Sequence, residues 1–159
     1  MTATRRVIHP ALFRLVIGAA VAVGLAIPLA ALSSSSADAA VSASVGMHAV
    51  KVAATRKGAR YHHGSQGPKA FDCSGLTRWS YLKVGKRLPR TAQGQWNATA
   101  HIRKTSRRAG DLVFFFHGKH VYHVAIYAGH GKVWHAPRPG KRVKKVPLWT
   151  SHVRYGRVR

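Results

Sequence analysis

The stretch Phe71-Asp72-Cys73-Ser74-Gly75-Leu76 contains the only cysteine of the chain. It lies where a loop rich in Gly, His and Pro gives way to a predicted helix over 73–84, in which Leu76, Trp79 and Leu82 recur at a spacing of three. A helix start presents unpaired backbone N–H groups and the positive end of the dipole, which favour a thiolate and can hold an oxyanion. An isolated free cysteine is more often a small buried side chain. A nucleophile at Cys73 therefore needs further support.

Two histidines can supply the base that a lone thiol needs. His123 lies in Tyr122-His123-Val124-Ala125-Ile126-Tyr127, about fifty residues after Cys73, and His135 lies in Val133-Trp134-His135-Ala136-Pro137. In a strand, His123 shares a face with Ala125 and Tyr127, opposite an aliphatic face. If the two strands are neighbours, the imidazoles can lie side by side. These are the residue types of a Cys-His-polar arrangement for nucleophilic catalysis.

The order and spacing of several such pieces carry a family resemblance. From Tyr61 to Pro139 the chain resembles the catalytic domain of the NlpC/P60 family, papain-like cysteine peptidases that cut bacterial cell-wall peptides. Each piece alone is a weak signal, whereas the ordered set is specific. The matching pieces are Tyr61 with Gly64, Phe71-Asp72-Cys73-Ser74-Gly75-Leu76, Leu88-Pro89-Arg90-Thr91, Gly110-Asp111-Leu112-Val113-Phe114-Phe115, His123-Val124-Ala125-Ile126-Tyr127 and His135-Ala136-Pro137.

The resemblance implies a role for each site residue. Cys73 is the nucleophile, His123 is the base and acid, and His135 accepts the proton on the other nitrogen of His123 and so fixes its tautomer. Tyr61 adds an O–H donor to an oxyanion hole beside the Cys73 backbone N–H. Asp72 and Ser74 line the site for the substrate peptide. No cofactor is needed.

Two positions depart from the family pattern. His62-His63-Gly64 stands where the family usually has an aromatic residue and a second glycine after the tyrosine, and Ala92 stands where a serine commonly follows Arg-Thr. Both positions bear on substrate contacts, so the specificity subsite is less firmly indicated than the triad. His117, His120 and His123 suggest zinc as an alternative, but no acid or second cysteine lies at ligand spacing, and we expect no metal.

After the cysteine helix the sequence pattern changes from helical to β-like. A short helix is predicted over 93–100, and strands are predicted over 112–116, 122–128, 132–136, 143–148 and 153–158. Asp111 is expected to bond backbone N–H groups where the first strand starts. Helices followed by an antiparallel sheet predict an α+β domain. The resemblance implies the same fold, a papain-like NlpC/P60 domain with N-terminal helices packed on the sheet. The sequence shows no repeat or coiled coil, and we expect a monomer.

The N-terminal segment has the three-part layout of a secretory signal. Residues 1–14 carry three arginines and no acid, residues 15–32 are mostly apolar, and Ala37-Asp38-Ala39 resembles an A-x-A cleavage site. We therefore expect a signal peptide over 1–39, a linker running into a first helix over 40–57, and the catalytic domain over 58–159. A transmembrane anchor is the alternative, because eighteen apolar residues can just span a bilayer. The expected location is extracellular or in the cell wall.

The chain is strongly basic, with 27 Lys and Arg against three Asp and Glu and a net charge of +24. Removal of residues 1–39 takes away three arginines and one acid and leaves +22. Such a charge attracts polyanions at long range. Outside the cell we expect anionic wall polymers or lipid surfaces, and not nucleic acid, as partners. The alternative is a solvated, solubilising surface.

The resemblance, together with the predicted secretory signal, implies a secreted cysteine endopeptidase that hydrolyses peptidoglycan stem peptides, at the bond between γ-D-glutamate and the diamino acid. Two alternatives stay open. A fold can host several chemistries, so a thiol amidase or acyltransferase is the first. The second is a non-catalytic cationic wall-binding module whose triad is unused.

Overall fold

The computed structural model describes residues 30–159, with side chains from residue 36 onward. The basic start of the predicted signal and most of its apolar run lie outside the described residues. Three helices precede or interrupt a set of eight strands. The helices are α1 (Ala30–Ala54), α2 (Cys73–Leu82) and α3 (Ala92–Asn97), and a 3₁₀ turn spans Lys104–Ser106. The strands are β1 (Arg60–Tyr61), β2 (Ala70–Phe71), β3 (Ala100–Ile102), β4 (Leu112–His117), β5 (His120–Gly129), β6 (Lys132–His135), β7 (Lys144–Pro147) and β8 (Val153–Arg157).

Six of the strands form one antiparallel sheet in the order β3-β8-β4-β5-β6-β7. The short strands β1 and β2 pair in parallel beside the start of α2. Helices α1, α2 and α3 all contact β5, the strand that carries His123. The predicted α+β class is thus confirmed, and the helices are grouped against a central strand of the sheet.

Period-two alternation along the strands produces two cores. Leu112, Phe114, Val124 and Ile126 face the helices and are fully buried with Leu76 of α2. The other face of the sheet has its own cluster of buried side chains, namely Val113, Phe115, Ala125, Tyr127, Val133 and Tyr155. Since both faces of β4 and β5 are covered, these strands are rigid supports for the side chains at their ends.

The β5–β6 hairpin brings the two histidine strands together. Gly129 pairs with Lys132, so the loop consists of His130 and Gly131, both with positive φ (49° and 67°). Positive φ at both central positions is the geometry of a two-residue hairpin turn. The His130-Gly131 turn fixes the register that places His135 near His123.

Helix α1 differs from the sequence expectation. A linker was expected before the first helix, whereas the structure is helical without interruption over Ala30–Ala54, because the segment is rich in alanine, the best helix former. Residues 36–41 are exposed, and the packed part begins later, with Gly46, Ala49, Val50 and Ala53 buried. Within residues 30–159 no helix combines the length and apolarity needed to cross a membrane.

Candidate active site

Asp72 caps the helix that begins at Cys73. Its extended backbone (φ −92°, ψ −179°) leads into α2, and its carboxylate accepts hydrogen bonds from the backbone N–H groups of Gly75 (2.7 Å) and Gly64 (2.9 Å). A carboxylate in this position satisfies an otherwise unpaired N–H of the first turn. Asp72, for which the resemblance implied a substrate contact, therefore also holds α2 and the preceding loop together.

The loop before α2 lies directly against the first turn of the helix. The Asp72 backbone N–H donates to the Ser65 carbonyl at 2.9 Å. A Cβ placed on Gly75 would lie 2.1 Å from that same carbonyl oxygen. Only glycine allows so close an approach, which explains a glycine two residues after the cysteine.

Arg90 completes the surroundings of Asp72. Its guanidinium forms an ion pair with the Asp72 carboxylate and donates to the Ser74 hydroxyl at 3.0 Å. Burial acts to raise the pKa of Asp72, but the bonds from Arg90 and from the Gly75 and Gly64 N–H groups outweigh it and lower the pKa. Asp72 is 5% exposed and Ser74 is 5% exposed. The acid is therefore charged and its oxygens are occupied by the protein.

The Cys73 thiol is protonated at neutral pH. Burial raises its pKa above the ordinary value of 9.0, and the nearby Asp72 charge adds to the rise, whereas hydrogen bonds from the backbone of Val124, Ser74 and Cys73 oppose it. The sequence favoured a thiolate because of the helix start. In the folded chain desolvation is the larger effect, so the helix start moderates the rise and does not reverse it.

His123 and His135 form a buried pair. The Nε2 atom of His123 lies 3.1 Å from the Nδ1 atom of His135, and the rings meet edge to face with centroids 5.3 Å apart. Burial lowers the pKa of His123 to about 3, with a further contribution from His135. Burial, followed by the charge of Lys144, lowers the pKa of His135 to about 4. Both rings are therefore neutral over the physiological pH range.

The pairing of the histidines identifies the nitrogen available to the thiol. Because Nε2 of His123 bonds His135, its Nδ1 is the atom left to act as a base. The Cys73 thiol forms a hydrogen bond with the backbone of Val124, the residue next to His123. Among the described residues, the His123 ring is bonded to His135 and not to the thiol. Catalytic hydrogen bonds are often long in a free enzyme and shorten when substrate binds.

Two clefts meet at this site, and Tyr122 lines both. The first, called here the thiol cleft, has a volume of about 530 Å³ and contains Cys73 together with Tyr61, His63, Asp72, Ser74, Arg90, Thr91, Ala92, Gln93, His120, Val121 and Tyr122. The second, called here the histidine groove, has a volume of about 490 Å³ and is lined by Tyr122, His123, His135, Pro137, Arg138 and Trp149. The predicted residues Tyr61, Asp72 and Ser74 thus lie with the nucleophile, and both histidines lie in the neighbouring groove.

Sequence reasoning missed two residues of the site. Arg90 stood in a matching piece without a role, although a buried carboxylate in a chain with so few acids calls for a cationic partner. Trp149 carried no signal. It is half exposed and stacks on Phe115 with centroids 4.6 Å apart, while its ring lies 5.0 Å from that of His135. Its place results from the loop between β7 and β8, which no periodicity describes.

The zinc alternative finds no cluster to support it. His117 and His120 are exposed and face each other across the β4–β5 pairing, whereas His123 is buried against His135. Among residues 30–159 no group of three or more His, Cys, Asp or Glu side chains could hold a metal ion.

Comparison with known proteins gives independent information on the family of this chain. The model of the NlpC/P60 family matches residues 58–157. A protein named "Probable endopeptidase" from Corynebacterium glutamicum is 46% identical over 107 residues, which cover 67% of this chain and 50% of that protein. The bifunctional muramidase/DL-endopeptidase CwlT of Bacillus subtilis is 41% identical over 117 residues, or 69% of this chain and 36% of CwlT. The chain thus spans half or less of the length of these relatives.

A solved structure agrees with the fold. The peptidoglycan hydrolase RipB of Mycobacterium tuberculosis superposes with a TM-score of 0.67 at 26% identity, covering 76% of this chain and 68% of that one. The family model spans well over half of the chain and includes the cysteine helix and both histidine strands. The chain therefore belongs to the NlpC/P60 family.

Proposed function

We propose that this protein is an endopeptidase that uses Cys73, His123 and His135 to hydrolyse an amide bond in peptidoglycan stem peptides. The observation that carries the proposal is the buried His123–His135 hydrogen bond. His123 lies next to Val124, whose backbone forms a hydrogen bond with the Cys73 thiol. The histidine pair lines the histidine groove, which adjoins the cleft that contains the thiol. The names of the relatives, endopeptidase and DL-endopeptidase, support the same chemistry.

The first chemical step is attack by the thiol. The sulfur of Cys73 bonds to the carbonyl carbon of the substrate while its proton passes to Nδ1 of His123. His123 becomes an imidazolium and donates its Nε2 proton as a hydrogen bond to His135. Because both histidines are neutral and the thiol is protonated at rest, one proton transfer produces the thiolate nucleophile and the imidazolium acid together.

The negative charge of the tetrahedral intermediate then needs donors. The Cys73 backbone N–H at the start of α2 is one, and the Tyr61 hydroxyl, which lines the thiol cleft, is the second. Burial raises the pKa of Tyr61, with smaller contributions from Cys73 and Asp72, so its hydroxyl keeps the proton that it donates. Collapse breaks the C–N bond, and His123 returns its proton to the departing amine. Water then hydrolyses the thioester by the reverse proton path and frees the thiol.

The scissile bond that we propose joins γ-D-glutamate to the diamino acid. The relative named as a DL-endopeptidase supports cleavage after a D residue. In the thiol cleft the Arg90 guanidinium is partly exposed and is held by Asp72 and Ser74, so the cleft offers a cationic group to the acyl half of the peptide. His63 and Ala92, the departures from the family pattern, also line this cleft.

A digest of purified cell wall tests the activity. We expect wild-type protein to release muropeptides that end in γ-D-glutamate, identified by mass spectrometry, and Cys73→Ala to release none. Release of fragments cut at a different peptide bond would contradict the proposed specificity, and release of whole stem peptides from the glycan would indicate an amidase. Transfer of the acyl group to added amine would indicate an acyltransferase, and wall binding without any release would indicate a binding module.

We further propose that the chain is exported and cleaved after Ala39. The exposure of residues 36–41, N-terminal to the packed part of α1, supports access by a signal peptidase. Sequencing of the mature protein should give an N-terminus at Ala40 or within a few residues of it. Recovery of the intact chain in the membrane fraction would instead indicate an anchor.

A further inference from the structure

A pocket near the C-terminal end of β5 has no part in the proposed peptide hydrolysis. It has a volume of about 380 Å³, is called here the tyrosine pocket, and is lined by Lys104, Arg107, Tyr127 and Tyr155 together with the loop 148–151. We infer that it binds a phosphodiester group of an anionic polymer, whose chain continues into a neighbouring basic pocket. A hydroxyl group without a partner, two unpaired cations and the adjoining pocket lead to this inference.

The tyrosine pocket is separate from the reacting groups. Its lining includes neither Cys73 nor either histidine of the proposed triad. Tyr127 lies four residues after His123 in the same strand, which is about 13 Å of extended chain. Trp149 lines both this pocket and the histidine groove and forms the wall between them. A ligand in the tyrosine pocket therefore leaves the scissile bond untouched, and the inference holds whichever peptide bond the protein cleaves.

The first observation is a buried hydroxyl group without a partner. Tyr155 is 2% exposed, and within residues 36–159 its hydroxyl makes no hydrogen bond. The neighbouring Tyr127 differs, because its hydroxyl accepts a hydrogen bond from the Gly131 backbone N–H at 3.1 Å. Burial raises the pKa of Tyr155, so its hydroxyl keeps its proton and is a donor. Because a buried hydroxyl ordinarily has a partner, the Tyr155 hydroxyl points to a ligand oxygen in the pocket that this residue lines.

Two cations accompany this hydroxyl. The Arg107 guanidinium lies 5.8 Å from the centre of the Tyr155 ring and 5.4 Å from that of Tyr127. It donates one hydrogen bond to the Lys104 carbonyl at 2.6 Å, which leaves other N–H groups of its fork for a ligand. In the part of the chain that the structure describes, neither Lys104 nor Arg107 forms an ion pair. Both charges are therefore available to an anion.

The kind of donor indicates the kind of anion. Positive charge alone would not mark a site in so basic a chain. Here a guanidinium, an ammonium and a hydroxyl from three places in the fold line one pocket. A tetrahedral phosphate directs its oxygens along different directions and suits such a set, and arginine pairs with two of its oxygens at once. Leu148 and the half-exposed Trp149 offer apolar contact to the carbon atoms on either side of the phosphate.

A second basic pocket adjoins the first. Lys104 and Tyr155 line both, and the second pocket, with a volume of about 490 Å³, adds the exposed Arg103 and Arg154. Two adjacent sites of positive charge suit a chain that carries one negative charge in each repeat, whereas a single phosphate ion fills only one of them. The ligand class is therefore a polymer of phosphodiester-linked polyol or sugar units.

Tyr155→Phe tests the unpartnered hydroxyl. Without ligand this variant should unfold at the same temperature as the wild type or slightly higher, because it removes a buried polar group that has no partner. It should bind a synthetic glycerol phosphate oligomer about five-fold more weakly, as measured by titration calorimetry at fixed salt. Unchanged affinity would overturn the inference. A lower unfolding temperature without ligand would show that the hydroxyl is bonded within the fold, which would also overturn it.

Arg107→Gln tests the cation against a control of matched charge. We expect about ten-fold weaker binding of the same oligomer, the effect of losing a charge-assisted hydrogen bond. Arg87→Gln removes the same charge from an exposed position in the loop after α2 and should change the affinity less than two-fold. Equal losses in the two variants would mean that only the overall charge matters. Cleavage of a soluble stem peptide should be unaffected by Arg107→Gln, and its loss would place the pocket in the peptide site instead.

Other phosphate compounds identify the source of the ligand. Inorganic phosphate, phosphatidylglycerol vesicles and a single-stranded oligonucleotide would be compared with the oligomer at the same salt and the same phosphate concentration. We expect the oligomer to bind at least ten-fold more tightly than inorganic phosphate, because it occupies both pockets. Binding of the vesicles and of the oligonucleotide should not change in Tyr155→Phe. Tighter, Tyr155-dependent binding of either one would overturn the polymer assignment in favour of a lipid headgroup or a nucleic acid.

Discussion

At Cys73, burial and the helix start act on the thiol in opposite directions, and burial has the larger effect. The two histidines are neutral for the same physical reason. The resting site thus holds a thiol and an imidazole, and not the ion pair of a preformed thiolate. The charge separation is delayed until a substrate carbonyl is present to receive the sulfur.

The pH dependence of activity follows from the lowered pKa values. A neutral imidazole is the competent form, and a pKa of about 3 for His123 and about 4 for His135 keeps both rings neutral well below the ordinary 6.5. We expect the acid limb of kcat/KM on a soluble stem peptide to lie well below pH 6.5. An inflection near 6.5 would show that the histidines are hydrated in solution.

Folding stability is the control for that experiment. The unfolded chain takes up protons on these histidines as the pH falls through 6.5, while the folded chain does not until the lowered values are reached. The unfolding free energy therefore falls as the pH decreases over this window. Circular dichroism at each pH separates loss of fold from loss of the base.

Substitution of His135 tests whether it orients His123. His135→Asn keeps a carbonyl acceptor of similar reach, so it should retain far more activity than His135→Ala, for which we expect kcat/KM to fall by about a hundred-fold or more. Cys73→Ala and His123→Ala should each abolish turnover almost completely. Their combination should add little further loss, because the residues act as a unit. Full activity of His135→Ala would exclude the orienting role.

At the scale of the elements, the sequence predicted those helices and strands that are long enough to show a periodic pattern of apolar residues. The five strands β4 to β8 and the helices α2 and α3 lie where alternation and three-residue spacing placed them, within a few residues at each end. Strands β1, β2 and β3 are only two or three residues long, so they carry no pattern. Their position depends on partners distant in sequence.

The candidate site likewise contains contacts that the sequence predicted and one that it did not. The expectation that the two histidine strands are neighbours places His123 and His135 side by side, and their rings are hydrogen-bonded in the structure. The turn role predicted for Asp111 is also observed, because its carboxylate accepts a hydrogen bond from the Arg108 backbone N–H at 2.6 Å. The Arg90–Asp72 pair spans 18 residues and joins a loop to a helix start. Such a contact arises from the tertiary packing of α2 and α3, and no local signal specifies it.

The capping role of Asp72 can be separated from its charge. Asp72→Ala removes the acceptor for the Gly75 and Gly64 N–H groups, and we expect it to lower the unfolding free energy by about 2 kcal/mol. Asp72→Asn keeps a capping oxygen and loses the ion pair with Arg90, so its loss should be smaller by about 1 kcal/mol. Urea unfolding measures both variants. Equal losses would mean that the ion pair, and not the cap, stabilises the start of α2.

At the scale of the whole molecule, charge is the dominant property. Two of the three acids are engaged within the fold, Asp72 by Arg90 and Asp111 by Arg157. The remaining lysines and arginines far outnumber the acids and give the surface a net positive potential. We propose that this charge holds the protein to the anionic polymers of the wall.

Salt tests this electrostatic retention. Binding to isolated walls should fall steeply between low and physiological ionic strength, since exposed charges are screened over about 8 Å at the latter. Walls stripped of anionic polymer should retain less protein at low salt. Equal retention on intact and stripped walls would contradict the proposal and indicate recognition of the glycan or peptide instead.

The half-buried, protonated Cys73 thiol also affects how long the protein can last before it meets its substrate. Peroxides and disulfides react with thiolates and much more slowly with thiols. With its pKa raised by burial, Cys73 presents little thiolate at neutral pH, and the sequence has no second cysteine with which it could form an internal disulfide. In oxidising surroundings outside a cell, such a protein would keep its nucleophile in the reduced form during storage. Its reactivity toward oxidants would then rise only at the moment when a bound peptide draws the proton away.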